Sequence, residues 1–498
     1  MTGNNKDRVV IIGGGIAGLS AGIYALKAGF DAVIYEKNSI PGGECIGWNR
    51  KGFHIDNCIH WLTGTKKGTD LYEVWKTTGA ISDGTEYADI DSFYTSSLNG
   101  QKATLWNDLK KTEEELIGIS PEDEEEIKKF IQYTEYAKQC LIPASKPMEM
   151  WGIGDYISMG KDMADFPKVM KEFGKISLDE YSRRFYSPLL RKLICDYLPK
   201  EYCVYSLMVS YATMADGNGK IPMGASLQMS LRMEKRFKEL GGKIFYNTGV
   251  EKIVLEKKKA IGIKLENGEF VNADFAIPTL DTYPLFKKLL PEKYMPKALA
   301  TAYGDQKTYP AISGFQLAFT VRDSFETEHT QLFDIEPLKV GSGTYDRMYI
   351  KSYGYDPLFV HDGRVVIQTS IIQSDDDFKF WKNLSPEEYA KEKEKLIGEV
   401  AKRVVTNFPE LEGDLEFLDC WTPLTYERYC NAYHGSYMCF TTTPESKTIR
   451  LKGKLKGIDN IYLAGQWTMP PGGLPIAVVS GKFAIQRILK GQKRDINI

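Results

Sequence analysis

The chain has 498 residues, 43% hydrophobic and 26% charged, with 64 basic and 66 acidic side chains and a net charge of −2. This is the profile of a folded globular protein of two or three domain-sized masses at about 150 residues each. It excludes collagen-like, disordered and disulfide-scaffold classes, and no basic excess invites nucleic acid. Eight cysteines, Cys45, Cys58, Cys140, Cys195, Cys203, Cys420, Cys430 and Cys439, form no CxxC and no Cys/His cluster at zinc spacing, so reduced thiols, a cytoplasmic location and no metal are expected.

Residues 8–12 (RVVII) are an apolar, β-branched run that suits a strand buried on both faces. GGGIAG follows, then a predicted helix over residues 19–28 and a second strand over 32–35, closed by Glu36. The apolar stretch 9–35 is not a membrane span, because Gly13, Gly14, Gly15, Gly18, Gly22, Lys27 and Gly29 interrupt the about 20 apolar residues a span needs.

The acidic stretch 112–129 predicts a solvated helical surface. Residues 141–175 are rich in adaptable side chains, among them Met148, Met150 and Trp151. Tyr156, Met159, Met163, Phe166, Met170 and Phe173 recur every three or four residues, which predicts one helix face packed inward as core, broken by Pro167 after Phe166. Lys161, Lys168 and Lys171 flank that face and leave peripheral membrane contact open.

A helix is predicted over 227–240 after IPMGAS, stopped by Gly241 and Gly242. Strands are predicted over 243–247, 249–256, 260–265 and 269–276, with a hairpin turn at Glu266-Asn267-Gly268. Further strands fall at 314–321 and 365–370, a charged helix at 386–408, and a last buried strand at 461–464 before GQWTMPPGGLP and a helix from about Ile476. No repeat or low-complexity linker occurs.

Gly13-x-Gly15-x-x-Gly18 follows a strand, opens a helix, and is answered by Glu36 18 residues after Gly18, close to the spacing of about 20 in dinucleotide-binding units. Gly13 permits the tight turn, Gly15 lets the backbone approach a pyrophosphate, and Gly18 lets the helix pack on the strand. The helix N-terminus offers unpaired N–H groups to phosphate, and Glu36 would accept from ribose hydroxyls. The motif fits NAD and FAD alike. No second such motif appears; Val340-Gly-Ser-Gly343 reads as a turn, so no separate pyridine-nucleotide domain is expected.

Beyond the motif, GGGIAGLSAGIYALKAGFDAVIYEK, PGGECIGWNRKGFHIDNCIHWLTG and NIYLAGQWTMPPGGLPIAVVSGKFAIQRI resemble the FAD-dependent amine-oxidase-like superfamily. Within it the chain looks like the phytoene desaturase, carotenoid isomerase and retinol saturase branch. The resemblance implies an α/β fold, with a discontinuous Rossmann-type FAD-binding domain (1–70, 221–290, 416–498) and an inserted mixed α+β substrate domain (71–220, 291–415). It implies hydride exchange between FAD and a carbon–carbon bond of an apolar polyene or isoprenoid-like substrate, as desaturation, saturation or isomerisation. An amine-oxidase-like reaction is the alternative. A flavin-free prenyl binder, like the Rab GDP-dissociation inhibitors, is disfavoured by the intact glycine-acid signature.

The resemblance also implies the cofactor contacts. Gly13, Gly15, Ala17, Gly18 and Glu36 would hold the ADP half, with Lys37, Gly42, Gly43 and Glu44 along adenosine and pyrophosphate. The backbone of Val250 would meet adenine. Gly465 and Gln466 would reach pyrophosphate and ribityl, and Leu474, Pro475 and Ile476 would bring a helix N-terminus to the flavin N1–O2 edge. Two residues depart from the pattern: Glu44 stands where many relatives carry Arg or Lys, and Gln466 where many carry Asp. Among five histidines, His60 is the candidate proton donor or flavin contact, with His434 a weaker one and Trp467 a candidate pocket wall.

Overall fold

A computed structural model describes residues 6–498. β1 (Arg8–Ile12), α1 (Ile16–Lys27) and β2 (Asp31–Tyr35) follow one another as the sequence predicts. β1 pairs in parallel with β2 on one side and with Phe275–Pro278 on the other, and Lys243–Phe245 pairs in parallel beyond β2. Val9 and Ile11 join the core formed with α1 and the terminal helix Gly473–Gly491. Val10 and Ile12 join a second core on the opposite face. Burial on both faces is why RVVII has no polar alternation. The segment 461–464 extends this sheet: Tyr462 donates its N–H to Ala276 O, and Ala464 donates to Pro278 O.

α1 begins at Ile16, three residues before the predicted start, so Gly18 lies inside the helix. A Cβ on Gly18 would stand 2.0 Å from Gly13 O; only a hydrogen there lets the helix lie against the loop. The predicted strand 269–276 is two strands. Phe270–Asn272 pairs antiparallel with Lys259–Leu265, while Phe275–Pro278 belongs to the parallel sheet. Asp274, between them, accepts the Arg8 N–H at 2.8 Å and turns the chain from one sheet to the other.

The larger sheet has eight strands. Its path runs Glu416–Trp421, Ser313–Arg322, Arg364–Gln373, Gly343–Ser352, Thr330–Val340, Ser92–Leu98 and Gln101–Trp106, with Val360–His361 paired to Arg364–Gln373. Helices between residues 109 and 215 pack on one another as a third core.

The acidic stretch forms two helices, Leu109–Ile119 and Glu124–Ala137, and is not wholly solvated. Asp123 between them is buried and accepts from Tyr186 N (2.6 Å), Ser187 N (2.9 Å) and Ser120 Oγ (2.7 Å). The methionine-rich stretch is also split, into Ile153–Asp162 and Phe166–Phe173, with Pro167 in the first turn of the second helix, where its missing N–H costs nothing. The core expectation fails for the first of these. Ile153 is 82% exposed, Tyr156 55% and Ile157 54%, and no residue of that helix is buried. Val169 and Phe173 do pack inward. No described helix is long and apolar enough to cross a membrane.

Candidate active site

The loop between β1 and α1 opens on a cavity of about 1590 Å³. A single small-molecule pocket spans about 300–1,000 Å³, so this cavity has room for two ligands. Gly13 takes φ +106°, donates its N–H to Tyr35 O at 2.9 Å, and would clash through a Cβ with Thr279 Oγ1 at 2.8 Å. Gly15 is different. A Cβ there would meet nothing closer than Gly42 O and Gly43 Cα at 3.7 Å, an ordinary contact. Nothing in the protein requires glycine at this position; the space above it belongs to the cavity. Ile16 and Ala17 line the same wall, and α1 has no side-chain cap at Gly15. A backbone left bare at a helix N-terminus is a cradle for phosphate.

Glu36 is buried. Its carboxylate accepts from Gly14 N (2.7 Å) and Asn38 N (2.8 Å), so it braces the glycine loop and keeps a second lone pair on each oxygen for ribose. Gly42 and Gly43 face Gly15 across a backbone bridge, with Gly42 N donating to Gly14 O at 2.9 Å. Lys37 lines the cavity, but its ammonium is engaged by Arg428 O (2.8 Å) and Asn431 Oδ1 (3.0 Å). Val250 lines the cavity at the start of the strand Val250–Glu256, which pairs antiparallel with Lys259–Leu265. Thr279, Leu280 and Asp281 also line it and were missed in the sequence; the signal was their place at the carboxyl end of a parallel strand, where ligands of open α/β sheets bind.

Gly465 (φ +117°) donates its N–H to Ser480 Oγ at 2.8 Å. Gln466 ties three segments together: its Nε2 donates to Glu44 Oε2 (3.2 Å) and Tyr437 O (3.4 Å), and its Oε1 accepts from Gly473 N (3.1 Å). Gly473 opens the terminal helix, whose first turn presents Leu474 and Pro475 to the cavity. Ile476 is buried, and neither it nor Gly18 lines the cavity.

Glu44 lines the cavity beside Asp281. Burial holds its carboxyl well above the usual range and the charge of Asp281 adds to this, partly offset by the Gln466 bond. Asp281 itself is pushed up to about 7 by burial, against hydrogen bonds from Tyr283 N (2.8 Å), Tyr433 N (2.6 Å) and Tyr303 Oη (3.2 Å). Burial therefore favours the neutral acid form of Glu44, which can donate an O–H, over a second anion beside Asp281.

His60 faces the cavity, and neither ring nitrogen has a protein hydrogen bond among the described residues. Its ring is open to the cavity, and reduced solvation there together with the nearby charge of Lys351 holds its pKa down to about 3. An imidazolium is thus absent at neutral pH, and the role left to His60 is that of a neutral donor or acceptor. Its backbone is fixed through Ile59. The Ile59 N–H is held by Ser226 Oγ (2.9 Å) and Asp56 Oδ2 (3.2 Å), and Ile59 O accepts from buried Lys351 Nζ (3.2 Å). Lys351 was not foreseen; a lysine inside a strand run carries no mark of burial. Burial lowers its pKa to about 8, with Asp56 opposing. His434 is occupied structurally: its ring stacks on Tyr433 at 4.0 Å and Phe378 at 4.8 Å and bonds Asp375. Trp467 is buried and lines the cavity.

The remaining wall is rich in aromatic and aliphatic side chains, among them Trp61, Tyr197, Tyr349, Tyr437, Leu332 and Ile372, and also carries charged ones, including Lys192, Lys200, Glu201 and Lys307. Arg347 reaches this wall but is consumed by Asp196, Asp334 (3.0 Å), Ser96 Oγ (2.8 Å) and Ser97 O (2.7 Å), so it offers no free cation to a substrate.

Residues 16–489 match the model of the flavin containing amine oxidoreductases, and the chain belongs to that family. It is an FAD-dependent oxidoreductase with a Rossmann-type FAD-binding sheet and a mixed α/β substrate region. The 4,4'-diaponeurosporene oxygenase of Staphylococcus aureus (strain bovine RF122 / ET3-1) is 22% identical over 96% of this chain and 97% of its own. Among solved structures, cyclohexylamine oxidase from Brevibacterium oxydans IH-35A matches with TM-score 0.56 and 14% identity, covering 98% of this chain and 100% of that one. A putative protoporphyrinogen oxidase from Exiguobacterium sp. 255-15 matches with TM-score 0.56 and 14% identity over 98% and 99%. At these identities the structural likeness establishes the fold. FAD, when bound, supplies hydride exchange, and the protein supplies placement and electrostatics.

Proposed function

We propose that the enzyme exchanges hydride between FAD and a carbon–carbon bond of an apolar polyene or isoprenoid-like substrate, by desaturation, saturation or isomerisation. The observation that carries this reading is the single cavity joining the glycine cradle to a wall rich in aromatic and aliphatic side chains, where Arg347 is bonded to its own partners and Lys192 to Asp346. An elongated apolar substrate gains roughly 25 cal/mol for each Å² it buries against such a wall and needs no charged anchor. The relative named 4,4'-diaponeurosporene oxygenase supports the same reading. In this reading the FAD half takes residues 6–70, 221–290 and the chain after Trp421, because Glu416–Trp421 pairs in the larger sheet.

We further propose peripheral contact with lipid through Ile153, Tyr156 and Ile157, which lie exposed beside Lys161. The catalytic reading is tested by anaerobic incubation of the FAD-loaded enzyme with linear polyenes and with simple amines, followed by product chromatography and, after admission of air, peroxide assay. Altered unsaturation or geometry of a polyene supports it; peroxide with an amine and unchanged polyenes overturns it in favour of amine oxidation.

A further inference from the structure

We propose that Cys45 and Cys58 are a redox-active thiol pair, a site of reversible disulfide formation on the cavity wall. The hairpin β3 (Gly47–Arg50) and β4 (Phe53–Asp56) pairs Gly47 with Asp56, Trp48 with Ile55, Asn49 with His54 and Arg50 with Phe53. A bond from Asn57 N to Ile46 O at 3.0 Å carries the same register one step further. The next step sets Cys45 opposite Cys58.

Because the 46–57 position carries the backbone bond, 45–58 falls at the closer, non-bonded kind of pair. There Cα atoms stand about 4.5 Å apart, inside the disulfide range of about 4.4–6.8 Å. The Cys45 N–H confirms this by turning away to Gly42 O. Both thiols are free and both line the cavity, and Cys45 Sγ donates to Ser226 O at 3.7 Å. The neighbouring Cys45 thiol and burial push the Cys58 thiol up, so its oxidation is favoured as the pH rises. Cys58 is the more open of the two, and Cys45 is buried behind it.

The oxidant is a peroxide small enough to enter. The Cys58 sulfur attacks the O–O bond; an S–O bond forms, the O–O bond breaks, and one water leaves. The Cys45 sulfur then displaces the sulfenic oxygen; the S–S bond forms, the S–O bond breaks, and a second water leaves. Two thiols are oxidised and one peroxide is reduced to two waters; a small dithiol reverses the step by exchange. The bridge would tie the Gly42–Gly43 loop, which faces Gly15, to the stretch that carries His60. Closure therefore acts on both the cradle and the reacting end of the cavity. None of this depends on the substrate proposed above.

The test uses the full-length protein treated with hydrogen peroxide, or with diamide as a second oxidant, then alkylated and digested with trypsin without reduction. Cleavage after Lys37, Arg50, Lys51 and Lys66 places Cys45 in peptide 38–50 and Cys58 in peptide 52–66. A linked pair of these peptides that separates on reduction is expected, present in the Cys140→Ser control and absent from Cys58→Ser. Recovery of both peptides fully alkylated after either oxidant overturns the proposal. So does Cys58 found over-oxidised or joined to another cysteine.

Discussion

Gln466 donates its side-chain N–H to Glu44 at 3.2 Å, so the two positions that depart from the pattern of similar flavoproteins are partners. A carboxyl that burial pushes toward its neutral form meets an amide there, in place of a cation and an anion. The exchange keeps Gln466 on Gly473 N and so keeps the terminal helix in place.

Glu44→Gln isolates this charge. An anion beside phosphates weakens FAD, and the raised pKa of Glu44 keeps it protonated until the pH rises through that value; Asp281 loses its proton near 7. FAD affinity of the wild type should therefore be highest in mild acid and fall by about tenfold or more, about 1.4 kcal/mol, toward alkaline pH. Flavin fluorescence titrations across pH should show a smaller fall in Glu44→Gln. Equal slopes in the two proteins would assign the pH effect elsewhere.

Gly15 and Gly18 should fail differently. Gly18→Ala forces a Cβ to 2.0 Å from Gly13 O and should destabilise the apoprotein by about 1–3 kcal/mol, read as a lower Tm. Gly15→Ala has room in the protein, so the apoprotein Tm should stay nearly unchanged while FAD affinity drops.

The glycine loop and Glu36 were legible because residues close in sequence form them; Glu44 and Gln466 each stood out as a departure, but their pairing, across 422 residues, was not legible. Asp281, Lys351 and the Arg347 network were not legible, because strands distant in sequence bring them to the cavity. Periodicity over Tyr156 to Phe173 marked an apolar face correctly but said nothing of what covers it; Ile153–Asp162 is left open. The run 269–276 read as one strand because β-propensity cannot tell which of two sheets a strand joins.

His60 should leave no trace in the pH profile. With a pKa near 3 it does not titrate between pH 5 and 9. In that range kcat/KM of wild type and His60→Gln should differ by a constant factor. A limb near pH 6.5, present in wild type and lost in the variant, would show that His60 ionises during turnover.

The exposed helix should govern lipid contact. Flotation with anionic vesicles should recover the wild type at low salt, and Ile153→Glu with Ile157→Glu should abolish recovery without changing FAD content. Wild type that stays at the bottom of the gradient would remove lipid contact from the picture.

The most direct measurement is the FAD released by heat from purified wild type and Gly15→Val, set beside the absorption spectrum of each. Stoichiometric FAD in the wild type and none in a folded Gly15→Val is the result expected if the cradle above Gly15 holds the pyrophosphate. A colourless wild type that refuses added FAD, or a variant with full flavin content, would contradict it.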